Sequence, residues 1–410
     1  MKKRSLALLF SVVFMDMVGF GFIIPILPDY ISTMGATQDL LGLVLAVYAL
    51  GQFIAAPVVG ALSDRFGRKP LLLLSIGGTF ASLLLLGFAK ALPLIVISRL
   101  LDGLTGGNIT VAQSYIADST GPEDRAKGLG LIGMAFGLGF VLGPLFGGLL
   151  VSINLSAPEF IAAGIAALNL IITAFVLPES LPAEKRQGTR SISILNIKAF
   201  RQVFSMADIR RYLGIIFFYT LAFNMFETMF SSHSMLAVGL TPQIRGLVLA
   251  YMGILIAVMQ GGIVGRLTKK YHARGLLRFS NALLIVSMLG WAFTDELWQL
   301  FIVVTPISVG AAIQNVVQKS QLSLAVDDRH QGMALGVSAS LESINRVIAP
   351  IIGGLLLSRV GLWAPGIASA AVLLVTMILI LGIPRRKVAH ADAPGPSTLA
   401  APARCRHRPF

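Results

Sequence analysis

The chain has 410 residues, of which 55% are hydrophobic and only 13% charged, with a formal net charge of +14. A soluble fold would carry roughly a quarter charged residues, so this composition, with a mean hydropathy of +0.81, excludes a string of soluble domains and points to lipid. The single cysteine, Cys405, excludes an internal disulfide framework or a cysteine zinc cluster.

Apolar stretches recur at residues 6–28, 40–62, 71–89, 93–117, 127–151, 159–177, 212–232, 245–266, 275–293, 298–320, 332–358 and 363–383. Each is near the ~20 residues that cross a bilayer as a helix. The pattern predicts an all-α membrane protein with twelve transmembrane helices. The first stretch is too long for a cleavable signal, contains Asp16 and lacks a small-residue cleavage site.

Lys and Arg crowd alternate connections: Lys2-Lys3-Arg4, Arg65/Arg68/Lys69, Arg125/Lys127, the block from Lys185 to Arg211, Arg266 to Arg278, Arg329, and Arg385-Arg386-Lys387. The intervening connections hold only Lys90, Arg245 and Arg359. This bias places both termini in the cytoplasm and accounts for the net charge without a nucleic-acid partner.

Residues 178–211 form the longest connection, polar and basic, with Pro178 and Pro182 and an amphipathic piece near Ile194–Phe204 suited to an anionic lipid surface. The expected organisation is a six-helix bundle over 1–177, a cytoplasmic linker over 178–211, a second six-helix bundle over 212–384, and a disordered basic tail over 385–410. No function is assigned to the tail.

The two bundles read as copies. Val59-Gly60 matches Val264-Gly265 at an offset of 205, Asp124-Arg125 matches Asp328-Arg329 at 204, and Gly143-Pro144 through Gly148 matches Ala349-Pro350 through Gly354 at 206. Two six-helix halves of one orientation make a parallel repeat about an axis along the membrane normal.

Five motifs stand out. The first helix carries Asp16-Met-Val-Gly19-Phe-Gly21 and then Pro25 and Pro28, and the second carries Tyr48 and Gln52 before Ala56-Pro57. A charged, Gly-flanked turn follows, from Gly60 through Asp64, Arg65, Gly67 and Arg68 to Pro70. The fourth helix holds Arg99 and Asp102, and the fifth holds Gly139, Gly143, Pro144 and Gly147. With the repeat, this order resembles the major facilitator superfamily, and within it the 12-helix drug:proton antiporters of the tetracycline-efflux-like branch. The resemblance covers nearly all of residues 1–385.

The resemblance implies a multi-pass protein of a bacterial inner membrane, monomeric and without a cofactor, that exchanges protons for a small-molecule substrate. It assigns Asp64, with Arg65 and Arg68, to a cytoplasmic latch between the halves, Arg99 to control of a proton site, and the fifth-helix glycines to export. It also breaks at informative places. Tetracycline exporters carry an acid where this chain has Ser82, a histidine where it has Ile256, and an acid near Asn281. Lys269 stands where the first half has Asp64. These departures tell against tetracycline itself as substrate.

Mid-helix ionisable groups are functional candidates by default, because a charge at the bilayer centre costs at least ~2.5 kcal/mol. Asp16 is the expected proton carrier, its protonation answering to burial and to a nearby guanidinium; the alternative is a structural acid. Arg99 and Asp102, three apart, share a helix face, either serving that site or neutralising each other. Glu342 and Arg346, four apart, read as a structural pair.

Glu227 sits beside Phe223, Asn224 and Phe226, a setting suited to a lipophilic cation. It reads equally as a second proton site. Gln52, Asn108, Gln113 and Gln314 are further cavity candidates, with interhelical hydrogen bonding as the alternative. Gly60 and Gly67 permit tight turns, and Gly139, Gly143 and Gly147 make one smooth face. No phosphate-binding loop or metal spacing is present.

The reading is a proton-coupled exporter of small amphipathic or cationic compounds, not an enzyme. Uptake by a proton symporter or facilitator, and a non-transporting receptor or scaffold, are the rivals.

Overall fold

The structure, a computed structural model, describes residues 3–120, 122–186 and 197–383. The first half runs α1 (Lys3–Ile23), α2 (Leu27–Thr33), α3 (Gln38–Phe66), α4 (Arg68–Gly87), α5 (Leu92–Thr105), α6 (Asn108–Ser119), α7 (Pro122–Leu150) and α8 (Ala157–Val176). A short α9 (Ile197–Phe204) precedes the second half, α10 (Ala207–Leu236), α11 (Pro242–Val258), α12 (Val264–Lys270), α13 (Ala273–Ala292), α14 (Leu297–Leu324), α15 (Asp328–Arg359) and α16 (Ala364–Leu381). Among the described residues, twelve helical stretches are long and apolar enough to cross a membrane.

Local chemistry sets the breaks. The apolar run 6–28 is not one helix: α1 stops at Ile23, and α2 starts at Leu27 with Pro28 in its first turn. Pro25 and Pro28 lack the N–H groups that an uninterrupted helix needs. The fourth span breaks at Gly106-Gly107, so α5 and α6 together make one crossing. In the eighth, a π-helical turn at Met259–Ile263 joins α11 to α12. Proline opens α5, α8, α11 and α16, where its missing N–H is not needed.

The glycine stripe of α7 lies on α1. A Cβ on Gly143 would stand 2.7 Å from the Gly21 Cα, and one on Gly147 would stand 2.6 Å from the Phe22 Cα. Gly139 meets Met17 in the same way. The opposite edge of α7 forms one of two seams between the halves: Gly148 lies against Pro242 and Gln243, and Gly246 of α11 lies against the Pro144 carbonyl. The second seam repeats the arrangement, with Gly42 of α3 against the Pro350 carbonyl and Gly354 of α15.

Both seams sit at the membrane face opposite the Asp64–Arg68 turn, hereafter the far face. Among the described residues, two polar contacts join the halves there. Arg245 donates to the Asp29 carboxylate, and Ser232 donates to Gln38 Oε1 at 2.8 Å.

The amphipathic piece expected over Ile194–Phe204 is helical from Ile197, with Val203 buried in a cluster with Leu213 and Leu341. Residues 194–196, Cys405 and the tail from residue 384 lie outside the described residues.

Candidate functional site: a central cavity, a buried acid cluster and a charged turn

Between the halves lies a cavity opening onto about 1070 Å³ of space, lined from α1, α2, α3, α6, α7, α10 and α15. Its walls are mostly apolar, with Met17, Phe20, Phe136 and Phe140 prominent; Tyr48, Gln52, Asn224, Glu227, Thr228 and Arg346 supply the polarity. On α10, Asn224, Glu227 and Thr228 are three and four residues apart and face the cavity together.

The aromatics expected around Glu227 turn elsewhere. Phe226 is buried in the second-half core, edge-on to Trp291 at 4.8 Å between ring centroids, and Phe223 stacks on Tyr219 at 5.9 Å. One residue along a helix is a rotation of about 100°, so a neighbour in sequence need not share a face.

The other candidates divide. Gln52 lines the cavity and donates to the Tyr48 hydroxyl at 3.4 Å. Gln314 is fully buried and accepts from the Ser280 hydroxyl at 2.7 Å. Gln113 is exposed on α6. Asn108 points to Asp16.

Asp16 does not line the central cavity. It faces a smaller polar pocket inside the first half, shared with Thr79, Asn108 and Asn169. Asn108 Nδ2 donates to its carboxylate at 3.0 Å. Nearby, Arg99 is 2% exposed and bonds Asp102 at 3.2 Å, the Ser98 hydroxyl at 3.2 Å and the Ser82 hydroxyl at 3.3 Å. Asp102 and Asp16 feel each other electrostatically. Glu159 of α8, fully buried in the same half, also feels the Arg99 charge, so the interior of the first half holds more carboxylates than guanidinium groups. Ser82 and Asn281 hold helices together: the Ser82 carbonyl accepts from the Ser98 hydroxyl at 2.9 Å, and Asn281 donates to the Leu373 carbonyl at 3.0 Å.

The Glu342–Arg346 pair expected from their spacing is not formed. Lys319 of α14 takes the Glu342 carboxylate at 3.1 Å, while Arg346 projects into the cavity.

At the charged turn, Arg68 bonds Asp64 at 2.6 Å and Asp118 at 2.8 Å, and both acids belong to its own half. Arg65 lies outside this network, its guanidinium 5.1 Å from the Phe66 ring centroid. Gly60 lies against Thr110. Gly67 has φ +104°, a conformation that favours glycine, and a Cβ there would run into the Glu179 carboxylate. Glu179 accepts from the backbone N–H groups of Arg68 at 2.8 Å and Lys69 at 3.1 Å. An anion at the start of a helix meets unsatisfied donors and a favourable dipole. Sequence reasoning did not single out Glu179, although Glu-Ser directly after Pro178 at the end of a span is the signal that could have done so.

Comparison with known proteins agrees with this architecture. The family model described as Major Facilitator Superfamily matches residues 9–344 and 264–409. The chain is 32% identical over 354 residues to the tetracycline resistance protein, class C, of Escherichia coli, covering 85% of this chain and 89% of that one. It is 26% identical over 367 residues to multidrug resistance protein 2 of Bacillus subtilis, covering 87% and 89%. Among solved structures, the nucleoside transporter NupG superposes with a TM-score of 0.78 at 14% identity, over 94% of this chain and 100% of that one, a likeness of fold. The chain is a multi-pass membrane protein, and it belongs to the Major Facilitator Superfamily, whose members are transporters rather than enzymes.

Proposed function

We propose that the protein is a proton-coupled secondary transporter that exports small amphipathic or cationic compounds from the cytoplasm by alternating access. The observation that carries this reading is the central cavity, walled by both halves and closed at the far face by the two seams. In this state the Asp64–Arg68 network stays within its own half, as a released cytoplasmic latch requires. Opening the far face and engaging that latch completes the cycle. The resistance proteins among the relatives support export, and with it a bacterial inner membrane.

Asp16 carries the proton in this reading, with Asn108 orienting it and the Arg99–Asp102 pair setting the charge around it. Substrate and proton occupy different pockets, with Met17 and Asp16, neighbours on α1, lining one each. Movement of α1 against the glycine stripe of α7 links the two. For a substrate without net charge, one proton moving inward releases about 2.3 kcal/mol per 100 mV of membrane potential; a monovalent cation exchanged for one proton draws on the pH gradient alone.

The test is proton movement in reconstituted vesicles under an imposed acid gradient, with lipophilic dyes and antibiotics added in turn. Substrate-triggered proton release by the wild type, lost in Asp16→Asn, is the expected result. Substrate counterflow with no proton release would leave a facilitator instead.

A further inference from the structure

Two opposite charges face the central cavity, and neither has an ion-pair or hydrogen-bond partner among the described residues. Within 4.0 Å, no described carboxylate pairs with Arg346. The acid one turn earlier, Glu342, is occupied by Lys319 and by the Ser338 hydroxyl at 3.3 Å. Glu227, on the adjoining helix α10, likewise shows no ion pair or hydrogen bond among the described residues, although it feels the Arg346 charge.

A guanidinium stays charged at any physiological pH and presents a planar fork that matches a carboxylate. A ligand that covers Arg346 without supplying an acceptor leaves a desolvated charge unpaired, which opposes binding. A lipophilic cation answers Glu227 alone. A molecule with both an acidic and a basic group answers both and brings no net charge into an apolar site. The wall supplied by α7, with Phe136 and Phe140, suits an aromatic body.

We propose that the cavity selects amphoteric amphipathic compounds, Arg346 holding an acidic group of the substrate and Glu227 a basic one. The assignment rests on the transport reading above and names the chemical class that the cavity takes. Arg346 is the specificity-determining residue.

Three dyes with one xanthene body test this on the full-length protein. Tetramethylrhodamine carries a free carboxylate beside a cationic ring system, its methyl ester is a cation only, and fluorescein keeps the carboxylate without the cation. Equilibrium binding is read by fluorescence polarisation, and transport by counterflow in proteoliposomes.

Tetramethylrhodamine is expected to bind about tenfold more tightly than its ester, the scale of one charge-assisted hydrogen-bonded pair. Arg346→Gln abolishes that gap, and Arg346→Lys keeps part of it. Glu227→Gln abolishes the preference for tetramethylrhodamine over fluorescein. The Lys variant also covers the case in which the Gln variant does not fold.

Equal binding of acid and ester by the wild type overturns the proposal, as does an unchanged gap in folded Arg346→Gln or the absence of binding by all three dyes. Charge-selective binding without counterflow sinks the transport reading and upholds the assignment. Counterflow without charge selectivity does the reverse.

Discussion

The Arg245 guanidinium, fully buried at the head of α11, meets the Asp29 carboxylate of α2 across the boundary between the two halves. It also donates to the Ser231 carbonyl of α10 at 3.3 Å, so it is held by a group from each half. Removing one partner of a buried pair leaves the other uncompensated and costs about 3 kcal/mol. Asp29→Ala should therefore weaken the far-face closure rather than the fold of either half. A cysteine introduced at Ser232, in a Cys405→Ser background, should react with maleimide much faster in Asp29→Ala. Restoration of slow labelling by the charge swap Asp29→Arg with Arg245→Asp would tie the effect to the pair; unchanged labelling in Asp29→Ala would rule the pair out as a seal.

The seams give a steric counterpart. A side chain at Gly246 has no room beside the Pro144 carbonyl, and one at Gly42 has none beside the Pro350 carbonyl. Gly246→Leu and Gly42→Leu should each force the far face apart and lengthen spin-label distances across it by several ångströms. Gly164→Ala, where nothing lies within 4 Å of the added carbon, should change stability by less than about 0.5 kcal/mol. Distances indistinguishable from wild type in both leucine variants would contradict the close approach.

At the charged turn, the prediction separates a helix cap from a charge cluster. Glu179→Ala removes the acceptor for two N–H groups at the start of α4, which costs about 1 kcal/mol. Glu179→Gln keeps an acceptor and should lose less. Gly67→Ala meets both an unfavourable φ and the carboxylate, and should reduce transport more than either. Thermal unfolding and initial transport rates rank the three; Glu179→Gln as damaging as Gly67→Ala would mean that the charge, not the cap, matters.

The buried cluster behind Asp16 permits a test of coupling against support. Asp102→Asn leaves Arg99 buried without its carboxylate and should cost roughly 3 kcal/mol of stability. The double replacement Arg99→Gln with Asp102→Asn removes both charges and should recover most of that loss. If the pair serves the proton site, the recovered protein still shows altered proton release against pH. If its profile matches wild type, Arg99 and Asp102 are scaffold only.

What the sequence could show depended on the range of the interaction. The twelve crossings were legible because apolar length is local, and the turn from Gly60 to Arg68 because its charges lie within eight residues. Pairings over long separations were not. Asp29 and Arg245 stand 216 positions apart, and Glu179 reaches Arg68 over 111; nothing in either neighbourhood selects the other. Helix rotation accounts for another loss. Glu227 reaches the cavity while its neighbour Phe226 enters the core, and Arg346, expected to neutralise Glu342, faces the cavity instead because Lys319 arrives from a separate helix.

The two seams have an ancestral consequence. In each, a glycine near the start of one half's helix (Gly42 or Gly246) meets a Pro-x-x-x-Gly edge on the other half (Pro350 to Gly354, or Pro144 to Gly148). Each half thus contributes one socket and one ridge, and residue i meets j while the copy of j meets the copy of i. That is the signature of an isologous dimer. A half-length ancestor could have paired with itself through this surface before a gene fusion made the pairing covalent. Each half would then remain free to diverge, the first keeping the buried acids and the second acquiring the charges that face the cavity.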